Sequence, residues 1–150
     1  MASVPLVAAP AALADAPLVV LDRTQLPFDL GPGHPANRPS RAGNSPNAAW
    51  NSAGNTANTA AAAENRPSHP ANQGRLIFTS DGEVRGYYAP NAGGVLNLFD
   101  ISGRRIAYRP ARGTRSLFTT SGAWCGTVDD LRGGGFVLAV TPECARLFAN

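Results

Sequence analysis

The sequence predicts a mainly β protein: an antiparallel hairpin-repeat meander of about seven strands with a short C-terminal helix, preceded by a long irregular or disordered arm. Three observations carry this. Aromatic residues crowd the second half, a turn-centred pattern recurs there, and an Asn recurs every seven residues in the first half. Before Gly74 the chain is dominated by Ala, Pro, Asn and Ser, with aromatic residues only at Phe28 and Trp50. After it come Phe78, Tyr87, Tyr88, Phe99, Tyr108, Phe118, Trp124, Phe136 and Phe148. Only the second half can bury a core, and its length makes that core small, so a covalent staple would help it.

The β half repeats. Leu76-Ile77-Phe78 leads to Asp81-Gly82 and then Tyr87, Leu98-Phe99 leads to Ser102-Gly103 and then Tyr108, and Leu117-Phe118 leads to Ser121-Gly122 and then Thr127. Asp-Gly and Ser-Gly between β-branched and aromatic runs are hairpin signals, with Gly supplying the positive φ that the turn needs. Ala89 to Gly94 and Pro110 to Gly113 read as the longer links. A worn fourth unit runs from Leu131 through Gly133-Gly134-Gly135 to a strand at Phe136 to Val140. The small residues Gly86, Ala107, Gly126 and Ala139 would let strands approach closely. Thr141-Pro142-Glu143 reads as the N-cap and first turn of a short helix carrying Cys144, Leu147 and Phe148.

In the arm, Asn37, Asn44, Asn51, Asn58, Asn65 and Asn72 fall every seven residues. A coiled coil needs two apolar positions per heptad, whereas here the repeated residue is polar and Pro interrupts several units. Asn accepts the left-handed backbone region and caps its own turns. The spacing therefore predicts either a loose string of Asx-turns or a narrow coil with an Asn ladder. Alone, such a composition does not offset its ordering entropy, and order would come on assembly or contact with a partner. The division expected is a lead over 1–36, the repeat arm over 37–74 and a β domain over 75–150. Residues 22–30 form an amphipathic island that reads as a docking tether.

Ala12-Leu13-Ala14 has the small-x-small form of a signal-peptide cleavage site, but no cation precedes Arg23. The lead reads either as a signal-peptide remnant, which makes the protein exported, or as an Ala-Pro-rich disordered lead. Its apolar run is too short and too Pro-broken to cross a bilayer as a helix, so no integral membrane segment is expected. Cys125 and Cys144 fit no CxxC pattern and have no neighbouring His for zinc. In an exported protein they would pair and contribute roughly 3 kcal/mol, and in the cytosol they would be two buried thiols.

The heptads, clearest in Asn44-Ser45-Pro46-Asn47-Ala48-Ala49-Trp50, resemble the NSPxN[WY]-type repeats of uncharacterised exported bacterial proteins, in which the repeats precede a small β domain. The hairpin units resemble the β-flower type of repeat. Together the resemblances cover residues 37–140, and they imply an exported accessory protein with no assigned activity and no catalytic residues carried over.

Charge and chemistry narrow the function. The net charge of +3 lies wholly in the second half, and all thirteen cations are Arg, a bias that a GC-rich coding sequence explains. Both histidines, His34 and His69, lie in the arm, so the β half has no imidazole for Ser-His, Cys-His or most transition-metal chemistry. The acids of the β half sit mostly in turns, and the triple Gly lacks the Lys and helix of a phosphate loop. No catalytic residue, metal site or cofactor is expected, and the protein is read as no enzyme. Arg104, Arg105, Arg109, Arg112 and Arg115 cluster around one strand and link. Period-two alternation sets Arg105 and Arg109 opposite Ile106 and Tyr108. They read either as a site for acidic polysaccharide or another polyanion, or as a solvated face that protects a sheet edge. The function expected is a structural or interaction protein whose arm engages protein neighbours. The alternatives are a cell-envelope polyanion-binding module and a virion or filament component.

Overall fold

The structure, a computed structural model, describes residues 18–22, 33–79, 81–111, 114–130 and 136–148. Eight strands close into a barrel: β1 (Leu18–Asp22), β2 (Leu76–Thr79), β3 (Val84–Pro90), β4 (Leu96–Asp100), β5 (Arg105–Arg109), β6 (Ser116–Thr119), β7 (Trp124–Asp130) and β8 (Phe136–Val140). From β2 to β8 each strand pairs antiparallel with the next. The mainly β class and the short C-terminal helix agree with the sequence. The sheet itself differs from an antiparallel meander of about seven strands. An eighth strand from the lead, β1, slots between β8 and β2, parallel to both, and closes the ring. Closure removes the two edges that a free sheet would present. The island at 22–30 and the triple-Gly turn lie almost wholly outside the described residues.

The three hairpins are built alike. In each, the residue before the turn exchanges bonds across it, as Asp100 N–H donates to the Arg104 carbonyl (2.8 Å) and Gly103 N–H to that of Asp100 (3.0 Å). The same pair recurs from Thr79 and Gly82 and from Thr119 and Gly122, and the turn glycines hold φ of 86°, 94° and 97°. A register shift follows at the equivalent place in each unit, between Ile77 and Phe78, Leu98 and Phe99, and Leu117 and Phe118. Such bulges bend and twist the strands, which helps a small sheet close. The expected close approaches occur. A Cβ at Gly86 would lie 2.1 Å from the Phe99 carbonyl oxygen, and one at Gly126 would lie 1.9 Å from that of Ala139.

The largest core cluster draws on every strand, with Val20, Ile77, Tyr88, Leu98, Ala107, Leu117, Val128 and Leu138 among its members, so it fills the inside of the barrel. Cys144 and Phe148 join it from the C-terminal end. There α1 (Pro142–Ala145) is capped by Thr141, whose Oγ1 accepts from Cys144 N–H, and a 3-10 turn (Arg146–Phe148) follows. Cys125 and Cys144 form a disulfide that pins α1 to β7. On the outer face, Tyr87 stacks on Phe99 and Tyr108 tilts against Phe118, each pair facing across neighbouring strands of successive units.

Candidate interaction surface between the repeat coil and the barrel

The arm is regular, and of the two forms its spacing predicts it takes the coil. Each heptad makes two tight turns. The repeated Asn donates its N–H to the carbonyl three residues back at 2.8–3.0 Å, from Asn37 to Asn72. A second turn follows, from Arg41 N–H to Arg38 and at each later heptad to His69 N–H and Arg66. Local caps favour these turns: His34 Nδ1, Asn55 Oδ1 and His69 Nδ1 each accept from the N–H two residues on. That is where both histidines are used.

Successive coils are joined by the Asn side chains. Each Nδ2 from Asn44 to Asn72 donates to the two carbonyls that flank the preceding Asn, at 2.7–3.1 Å. One amide group thus clamps both sides of the coil below it. Asp has no hydrogens to give, and Gln would overreach by a methylene, so the chemistry selects Asn. All six of these residues are buried. The arm, expected to be disordered alone and ordered on contact, is here ordered with the barrel covering one side of it.

The outer face of β3 to β5 and the links around it present a row of donors to the coil. The Tyr87 hydroxyl donates to the Asn65 carbonyl (2.5 Å), and the Tyr108 hydroxyl to that of Asn44 (2.7 Å). Asn91 Nδ2 reaches the Trp50 carbonyl (3.0 Å) and Asn58 Oδ1 (2.7 Å), and Asn97 Nδ2 reaches the same Oδ1 (2.8 Å). Thr114 Oγ1 lies 3.0 Å from Asn37 Oδ1. Glycines let the coil come close. A Cβ at Gly93 would strike the Trp50 ring at 2.3 Å, and one at Gly122 would strike Pro46 at 2.7 Å. Gly103 meets Pro67 and Ala60.

The two repeats are commensurate. Tyr87 and Tyr108 occupy the same place in successive hairpins and stand 21 residues apart, as do their acceptors Asn65 and Asn44, counted in the opposite direction. Pro67 and Pro46 are likewise separated by three heptads and meet the turn glycines of successive units, and Asn58 and Asn37 accept from successive links. One hairpin unit therefore matches three coils.

Burial raises both tyrosines to about 12, with the Asp100 charge adding to the effect at Tyr87 and Arg105 opposing it at Tyr108. Both hydroxyls remain protonated donors at neutral pH.

The five arginines singled out in the sequence meet different surroundings. Arg104 is exposed and pairs with Asp100 at 3.4 Å. Burial alone would raise the Asp100 carboxyl, but bonds from Ser102 and Arg104 N–H and the Arg104 charge hold it below the usual range. Arg105 turns onto the outer face of the barrel beside Asn97 and Tyr108. Its Nε donates to Asn97 Oδ1 (2.8 Å), its guanidinium lies 4.9 Å from the Tyr108 ring centre, and its two terminal nitrogens are buried without hydrogen-bond partners. Burial lowers it to about 10. Arg105 and Tyr108 thus share a face, where strict alternation predicts opposite ones, because the bulge at Ile106 inserts one residue between them. Arg109 ends β5 and is half-buried, Arg112 lies outside the described residues, and exposed Arg115 pairs with Asp129 at 3.0 Å. Arg104 and Arg105 line an open cleft of about 610 Å³ together with Thr119, Thr120, Ser121 and Leu147. Among the described residues no cluster of His, Cys, Asp and Glu could hold a metal, and no helix is long and apolar enough to cross a membrane.

Sequence reasoning missed Tyr87, Asn91, Asn97, Tyr108 and Thr114 as docking residues. The signal was present in the shared step of 21 residues, visible only when the two repeats are compared with each other. Comparison with protein-family models, with curated proteins and with solved structures finds no match for the chain.

Proposed function

We propose that this is a non-enzymatic structural or interaction protein, exported to the periplasm or beyond, in which the barrel serves as a mount for the Asn coil and the coil engages neighbouring subunits or the cell envelope. The observation that carries this reading is the row of Tyr87, Asn91, Asn97, Tyr108 and Thr114 donors matched to the coil at one unit per three heptads. A surface specialised for holding an extended repeat is what a scaffold or assembly protein uses. The disulfide supports an oxidising compartment. Scattering from the full chain between about 1 µM and 1 mM tests the reading. Concentration-dependent association with an ordered arm is expected, and a monomer with a mobile arm throughout would overturn it.

A second reading, polyanion binding, draws on the exposed Arg104 at a cleft lined by three hydroxyl side chains. It expects heparin affinity that falls when Arg104 becomes Glu. Binding indifferent to that change would end it.

A further inference from the structure

Every hydrogen bond described from barrel to coil ends on a main-chain carbonyl or on the Oδ1 of a repeated Asn. None ends on a side chain peculiar to one heptad. The outer face therefore recognises the coil as a shape with an acceptor set, and any Asn-heptad coil of this kind offers the same set at the same step. We propose that this face also takes the coil of a second copy of the chain, so that β1 and the coil of one copy dock on the barrel of another. The inference rests on the interaction reading above and names its partner.

Two features favour exchange. The coil's ladder bonds are internal, so it keeps them when it leaves the barrel. Arg75 alone joins the coil, ending at Gly74, to β2, starting at Leu76. A one-residue joint is the kind of hinge that extends rather than folds back, and extension carries the segment to a neighbour. The contacts made in trans are those made in cis, so concentration decides between them.

Cross-linking in the full chain tests this. Asn37→Cys and Thr114→Cys are made in separate chains and together in one, because their side chains meet across the interface. The native cysteines are buried and bonded and stay silent to a thiol reagent. The two single variants are mixed in denaturant with the native disulfide intact, co-refolded at about 1 and about 100 µM, and treated with a short bis-maleimide. The expected result is a mixed dimer whose yield rises at least about tenfold over that range, with neither variant alone giving it. Linkage only within the double variant, with no mixed dimer at either concentration, would overturn the proposal. If the chain still associates by scattering in that case, the interaction reading stands and only the occupant is wrong. Absence of any link even in the double variant would mean the coil does not dock, which overturns both.

Discussion

Among the bonds described, Asn58 makes the largest set of any ladder side chain. It donates to the Trp50 and Ser52 carbonyls at 2.9 and 2.8 Å, and its Oδ1 accepts from Asn91 and Asn97 at 2.7 and 2.8 Å. Asn65, also fully buried, donates two bonds of similar length, but its Oδ1 has no partner. Truncation to Ala removes four bonds at Asn58 and two at Asn65. At about 1 kcal/mol net per bond, Asn58→Ala should cost about 4 kcal/mol and Asn65→Ala about 2. The Asn97 amide, buried in the barrel wall, loses its only described acceptor in the first case, which adds to the gap. Urea denaturation of both variants, followed by Trp fluorescence, measures the difference. Equal losses, or a larger loss at Asn65, would refute the claim that the Oδ1 of Asn58 ties the coil to the barrel.

Other consequences follow from the same geometry. Inserting one complete heptad between Asn51 and Ser52 returns Asn to the ladder but puts one end of the coil out of step with Tyr87 or Tyr108, so hydrogen-exchange protection should fall in part, whereas inserting four residues breaks the ladder as well and should abolish it. Replacing Cys144 with Ser removes a disulfide spanning 19 residues and should lower stability by roughly 3 kcal/mol in thermal unfolding. Tyr87→Phe and Tyr108→Phe should each cost about 1 kcal/mol at neutral pH in the same assay. Because both phenols sit near 12 when folded against about 10 unfolded, their contribution is complete below pH 10 and is lost between 10 and 12. Arg105, lowered to about 10, acts in the opposite sense over that window, so the double Phe variant should flatten or invert the alkaline loss seen in the parent protein.

Much of the barrel was legible because its signals are local. Asp81-Gly82, Ser102-Gly103 and Ser121-Gly122 fix turns through a glycine of positive φ, and Thr141-Pro142 caps a helix by its own side chain. The Cys125–Cys144 pair was one of two readings, and the fold brings it together. What escaped depends on distant residues. The strand at Leu18–Asp22 looked like part of a lead because its β character matters only once β8 and β2 leave a gap for it. The bulge at Ile106 moved Arg105 onto the face of Tyr108, and period-two reasoning has no means of seeing an inserted residue. The docking donors were hidden because Tyr87 and Tyr108 read as ordinary core aromatics until their hydroxyls have an acceptor.

The coil and the barrel explain each other. A heptad that forms only two tight turns and one Asn clamp has little apolar surface to bury, so by itself it gains almost nothing from the hydrophobic effect. A small barrel, for its part, has an outer face on which Tyr87, Phe99, Tyr108 and Phe118 would stand exposed without a cover. Covering them with the coil buries the aromatic rings and leaves each tyrosine hydroxyl on a coil carbonyl, so both problems are met by one contact. The match works only if the two repeats keep step. The third unit departs from that step and still meets the coil. It lies 19 rather than 21 residues after the second, it carries Thr127 in place of the tyrosine, and its described contact with the coil is the packing of Gly122 on Pro46. The tyrosine is kept where the step is kept, which ties the hydroxyls to the coil's register rather than to the barrel's own core.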